Sequence, residues 1–130
     1  MKVVVVADSH APRRWKGVPH ILALELADAD LVLHAGDVCV PEVLDELAAF
    51  APVRAVMGNN DGEDVREWGA TDDLELDLGG VRVAMLHIAG PKDGRGRRMR
   101  KRFPDADLVV FGHSHQPLDE LQDGVHLLNP

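Results

Sequence analysis

"MKVVVVADSH", Met1 to His10, decides the fold. The almost unbroken valine run from Lys2 to Ala7 suits a strand buried on both faces, as in a sheet covered by helices. Its carboxyl end passes at once into Asp8, Ser9 and His10. Leu31–His34 reads as a second buried strand and Val53–Met57 as a third, each also followed by a polar cluster. Between them lie helical patterns. Pro19–Ala29 carries Ile21, Leu22, Leu24 and Leu26 among polar positions, which predicts a helix packed on the sheet. Pro41, at a favoured first-turn position, opens a second helix through Phe50, with Val43, Leu44, Leu47 and Phe50 on one stripe.

The second half changes character. "LELDL", Leu74–Leu78, alternates as a half-buried strand does, and Gly79-Gly80 joins it to "VRVAMLH", Val81–His87, as a two-residue hairpin. A basic stretch up to Phe103 predicts a short helix, and Leu108–Phe111 another buried strand. "LDELQDGVHLL" predicts a closing hairpin that turns at Asp123-Gly124. Repeats, linkers and low-complexity tracts are absent. The alternation of strand and helix predicts a mixed α/β sandwich with helices outside, in a single domain over residues 1–130.

Composition narrows the chemistry. The 130 residues are 45% hydrophobic and 28% charged, which is ordinary globular composition. A formal net charge of -8 disfavours a general nucleic-acid binder, because such proteins neutralise phosphates with a basic surface. No apolar run approaches the roughly 20 residues that span a bilayer, and the run before Asp8 is too short for a signal peptide, so a cytoplasmic location is expected. One cysteine, Cys39, excludes an internal disulfide and any cysteine-based zinc cluster. It reads as a small buried hydrophobe.

The polar residues follow the strand ends. "DSH" closes the first strand, "GD" (Gly36-Asp37) the second, "GNND" (Gly58–Asp61) the third; His87 ends the hairpin, and "GHSH" (Gly112–His115) follows the last buried strand. Singly these are weak signals, since Gly-Asp is a common turn and Asp and Ser are common caps. Jointly they matter, because ligands of open α/β sheets bind beyond the carboxyl ends of strands. Asp8, His10, Asp37, Asn59, His87, His113 and His115 offer carboxylate, amide and imidazole donors. That set suits Mn²⁺, Fe²⁺, Co²⁺, Ni²⁺ or Zn²⁺ better than Ca²⁺. Seven ligands exceed one tetrahedral ion, and two ions sharing a carboxylate would use them all. His20 and His126 read as surface or packing residues, and His34 as a hydrogen-bonded core group rather than a ligand. Asp61 suits the cap of a following short helix.

In this order and in these strand contexts, "DSH", "GD", "GNND", His87 and "GHSH" resemble the calcineurin-like metallophosphoesterases. The likeness is greatest to the small prokaryotic phosphodiesterases related to the retromer scaffold subunit of eukaryotes. The resemblance covers Lys2 to Asn129. It implies a four-layer α/β/β/α sandwich with two mixed β-sheets. It also implies one metal on Asp8, His10 and His115, a second on Asn59, His87 and His113, Asp37 bridging both, and a bridging hydroxide as nucleophile. Mn²⁺ is the activating ion it suggests, small phosphodiesters the substrates, and a homo-oligomer remains open. The other class it brings is a protein-binding scaffold of the same fold.

Two departures stand out. Asn60 occupies a place where many larger relatives carry histidine and small ones often cysteine; an amide there can contact substrate by hydrogen bonding but cannot protonate a leaving group. The chain also stops at "LLNP", where related chains continue through a Gly-Ser pair, so the resemblance implies a sandwich without the last C-terminal strands and with an exposed sheet edge. The basic segment is unassigned by these motifs: Arg95, Arg97, Arg98, Arg100, Lys101 and Arg102 hold six of the fourteen basic residues. They form either a solvated helix face or a positive rim for a phosphorylated substrate.

Overall fold

A computed structural model describes residues 1–130. Three parallel strands form the first sheet, in the order β1 (Val3–Val6), β2 (Leu31–His34), β3 (Val53–Ala55). Their links are α1 (His20–Leu26) and α2 (Glu42–Ala48), and α3 (Glu63–Trp68) leads onward to the second sheet. The second sheet has five strands: β4 (Asp73–Leu78), β5 (Val81–Leu86), β6 (Leu108–Val110), β8 (Val125–Asn129) and β7 (Leu118–Gln122), in that order across it. Both outer pairs are antiparallel hairpins, and the central pairs are parallel. The chain between β5 and β6 contains α4 (Arg95–Arg102). Strand mixing is thus confined to this sheet. The first is parallel throughout, because helix-containing crossovers rather than hairpins join its strands.

Both hairpin turns are built as the sequence requires. Gly79 and Gly80 have φ of 63° and 90°, and Asp123 and Gly124 have 49° and 78°. Two consecutive positive φ values give the type I′ turn whose twist matches that of the strands.

Side-chain alternation divides the core into the three gaps of a four-layer sandwich. Val32, Val43, Leu44, Leu47 and Val65 fill the gap between the first sheet and its helices. Leu33, Val56, Val83, Met85 and Val110 face one another between the sheets. Ala84, Met99, Phe103, Val109 and Leu127 pack the second sheet against α4. Neighbours such as Val32 and Leu33, or Val109 and Val110, enter different cores because consecutive strand residues point to opposite faces.

Two local expectations change. β1 is half-buried rather than enclosed, because it is an edge strand and Val3 and Val5 line an apolar cleft of about 300 Å³ with Leu78, Val83 and Leu128. In α1 only Leu22 and Leu26, four residues apart, reach the core, whereas Ile21 and Leu24 are 77% and 63% exposed. A helix this short presents one stripe. No helix is long and apolar enough to cross a membrane.

Candidate metal centre

Parallel strand direction carries the polar clusters to one edge. Asp8 N–H donates to the Gly36 carbonyl at 3.0 Å, His10 N–H to that of Asp37 at 3.1 Å, and Gly112 N–H to that of His87 at 3.0 Å. These bonds join the loops after β1, β2, β5 and β6. The backbone there is strained: Asp8, His10, Asp37, His113 and His115 all have positive φ, from 48° to 74°. Each such non-glycine residue costs of order 1–3 kcal/mol and persists where the surroundings impose it.

The result is two triads of donors. Asp8, His10 and His115 form one, and Asp37, His87 and His113 the other, with the ligand atoms of each within 4.8 Å of one another. Asp37 lies between them: its Oδ2 is 3.3 Å from His10 Nε2 and 3.2 Å from His87 Nε2. Asn59 Oδ1 joins the second triad, 3.0 Å from both His87 Nε2 and His113 Nδ1. All seven expected residues therefore meet, although strands and loops far apart in sequence supply them.

The donor set fits a cation. His87 Nδ1 is 2.7 Å from the Ala35 carbonyl, so it carries the ring proton and donates there. Its Nε2 points at the oxygens of Asp37 and Asn59, 3.2 and 3.0 Å away. His10 Nε2 is buried and has no hydrogen-bond partner. A divalent ion is the partner that satisfies these atoms together. The base is dry and the mouth open, for the Asp37 and His87 side chains are 2% and 3% exposed and that of His115 is 43% exposed.

Burial opposes ionisation of Asp37, but the backbone and side-chain N–H groups of Asn60 and the neighbouring rings of His87 and His10 hold its carboxyl below the usual carboxylate range. Asn60 donates its backbone N–H to Asp37 Oδ1 and its side-chain Nδ2–H to Oδ2, each at 2.9 Å. The second Nδ2 proton and the amide oxygen remain for other partners.

Asp61 behaves differently from expectation. Gly62 is the N-cap of α3, and no side chain caps the helix. The Asp61 carboxylate instead accepts backbone N–H bonds from Asp37 at 2.9 Å, Gly58 at 2.8 Å and Cys39 at 2.7 Å. It ties the Asp37 loop to the Asn59 loop, a role hidden in sequence because Cys39 and Asp61 meet only through the parallel β2–β3 pairing. Gly58 allows the approach: a Cβ there would stand 2.2 Å from both Asp37 N and Oδ1.

The other histidines stay outside the triads. His34 is fully buried; Nδ1 accepts the Gly36 N–H at 3.2 Å, so the protonated Nε2 donates to Ser9 Oγ at 3.0 Å. His20 starts α1 on the surface, and exposed His126 bonds Asp119. Cys39 is half-buried rather than buried, and its thiol is pushed up by burial and by Asp61, Asp37 and Asp8. It remains protonated at neutral pH.

Comparison with known proteins agrees with this architecture. The calcineurin-like phosphoesterase superfamily domain matches residues 1–130. A "probable metallophosphoesterase" of Methanothermobacter thermautotrophicus is 36% identical, over 100% of this chain and 76% of its own. A phosphodiesterase of Methanocaldococcus jannaschii is 26% identical, over 100% of this chain and 82% of its own. Among solved structures, wild-type Vps29 of Entamoeba histolytica, complexed with zinc, superposes with a TM-score of 0.82 at 25% identity, over 100% of this chain and 73% of its own. With a match along its whole length and a relative above 30% identity, the chain belongs to the calcineurin-like phosphoesterase superfamily.

Proposed function

We propose that the protein is a dinuclear metal-dependent phosphodiesterase acting on small phosphodiesters. The carrying observation is the place of Asp37, whose Oδ2 lies between His10 and His87, one from each triad. Asp8, His10 and His115 would hold one ion and Asn59, His87 and His113 the other, with Asp37 shared and Mn²⁺ the leading candidate. Such a pair would supply an activated water, its pKa lowered toward neutrality, and positive charge for the phosphoryl oxygens.

The chain's own residues do the rest. Asp61 and the Asp8–Gly36 bond hold the loops that carry the ligands, and strain preset in five of them spares rearrangement on loading. Asn60 holds the Asp37 carboxylate and has one amide proton left to orient an ester oxygen. That amide proton is not acidic enough to be transferred to a leaving group, which favours esters of acidic alcohols such as nitrophenols. A water-facing mouth admits substrate, whereas structural metal sites are coordinatively closed. The relative from M. jannaschii is itself a phosphodiesterase. A cytoplasmic site of action completes this reading.

The second reading, a non-catalytic protein-binding scaffold, draws on the likeness to Vps29. Against it stands the full set of seven donors in one cleft. Metal-dependent hydrolysis of a phosphodiester panel by wild type and Asp37→Ala decides the matter. We expect Mn²⁺-dependent turnover that falls at least a hundredfold in the variant. Equal activity in the two proteins removes the shared-carboxylate assignment, and a wild type inert on every phosphoester favours the scaffold.

A further inference from the structure

The basic segment resolves into residues with different employment. Arg98 donates to the carbonyls of Asp93 at 2.7 Å, Ala89 at 3.4 Å and Pro91, clamping the loop that follows His87. Arg102 pairs with Asp73 at 2.6 Å, and Arg100 reaches the Gly124 carbonyl at 3.5 Å. Arg97 and Lys101 are solvent-exposed. Two of the six face cavities next to the metal centre: Arg102, already paired with Asp73, lines the one beside Asn59 and His87, and Arg95, without a carboxylate partner, lines one beside His113.

That cavity is about 390 Å³, and Arg95 lines it together with Ile88, Pro91, Phe111, His113 and Ser114. His113 also belongs to the second triad, so the cavity continues directly from the centre. The guanidinium is held in place: Nε and Nη2 donate to the Gly90 carbonyl at 3.2 and 2.9 Å, and Cζ stands 4.7 Å from the centroid of the buried Phe111 ring. Three of its five N–H donors are left over. Glu120 contributes an attractive field from a distance and forms no ion pair with it. A planar fork, fixed on one edge and free on the other, is the geometry that receives phosphate oxygens in pairs.

We propose that Arg95 binds a second phosphate, carried on the non-scissile arm of the substrate, and so selects phosphodiesters whose retained arm is itself phosphorylated. The proposal rests on the phosphodiesterase reading for its substrate, and on Arg95, the cavity and His113 for its site. One arm of a diester seated at the triads passes His113 into the cavity. There Ile88 and Pro91 offer apolar contact to the body of the arm, and the free guanidinium edge meets its terminal phosphate.

The test compares thymidine 5′-(p-nitrophenyl phosphate) with the same compound bearing a 3′-phosphate, so that the scissile bond and leaving group are identical. With Mn²⁺-loaded wild type we expect KM at least tenfold lower for the 3′-phosphorylated compound. Arg95→Met is expected to lose that preference, and Arg95→Lys to keep part of it. In Arg97→Met, which removes an exposed arginine of the same helix, the preference survives. Equal KM values in wild type, or a preference retained by Arg95→Met, overturn the proposal. Equilibrium binding of thymidine 3′,5′-bisphosphate against thymidine 5′-phosphate separates the two readings. If neither ester is hydrolysed but the bisphosphate binds at least tenfold tighter to wild type and not to Arg95→Met, the phosphodiesterase reading fails and the Arg95 site stands. If binding shows no such difference, the Arg95 site fails on its own account.

Discussion

His34 shows how one residue couples the core to the site. Burial pushes its pKa down to about 3, with His87 and His10 adding repulsion that Asp37 only partly offsets. The neutral ring is what allows Nδ1 to accept from Gly36 while Nε2 donates to Ser9, pinning the loops after β1 and β2. Between pH 6.5 and about 3 the unfolded chain binds a proton that the folded ring refuses. This contribution to stability is therefore complete above the unfolded value and is lost on acidification, at about 1.4 kcal/mol per pH unit. In denaturant titrations of metal-free protein, His34→Gln should show a shallower loss of stability than wild type across that window. Identical slopes would mean that His34 does not titrate as described. A buried histidine was legible from its place on an apolar strand, but its tautomer was not, because Ser9 and Gly36 lie on different loops.

At the level of elements, the strand ends carry the chemistry and glycine sets how closely they approach. The loop after β3 crosses that after β2 at Gly58, where any Cβ would press on the Asp37 backbone and carboxylate. Backbone cannot yield as a flexible side chain does. Gly58→Ala should lose about 1–3 kcal/mol of stability, as overpacking does, together with metal affinity. Gly62→Ala is the control, since its Cβ would meet nothing nearer than Asp64 Oδ1 at 3.4 Å. Chemical denaturation and metal calorimetry on both variants check this, and equal behaviour of the two would contradict it. The strands themselves were readable to within a residue or two, because valine-rich runs and two-residue glycine turns are local signals. Which face of α1 points inward was less so: Ile21 and Leu24 share the apolar composition of Leu22 and Leu26, and only packing against the first sheet distinguishes them.

For the molecule as a whole, the cost of gathering acceptors and strained residues at one edge is offset when a cation enters. Binding that is selective for the folded state stabilises it by about 2.7 kcal/mol at a hundred times the dissociation constant. For a chain of this size that corresponds to roughly 10 °C in melting temperature. Scanning calorimetry with saturating Mn²⁺ should show such a rise, reversed by a chelator and absent in Asp37→Ala; an unchanged melting temperature in wild type would count against the centre. The strand order β4-β5-β6-β8-β7, the edge position of β1 and the apolar cleft beside it belong to this scale, since they depend on contacts between distant segments. From its own sequence the protein specifies the alternation of strand and helix, the type I′ turns and the seven donors at strand ends, because each rests on near neighbours and side-chain period. Tertiary structure alone decides that Asp37 stands between two triads, that Asp61 ties two loops instead of capping a helix, and that Arg95 lies beside His113 with one guanidinium edge free. Distance between residues far apart in the chain is set by how layers stack, and no local pattern encodes it.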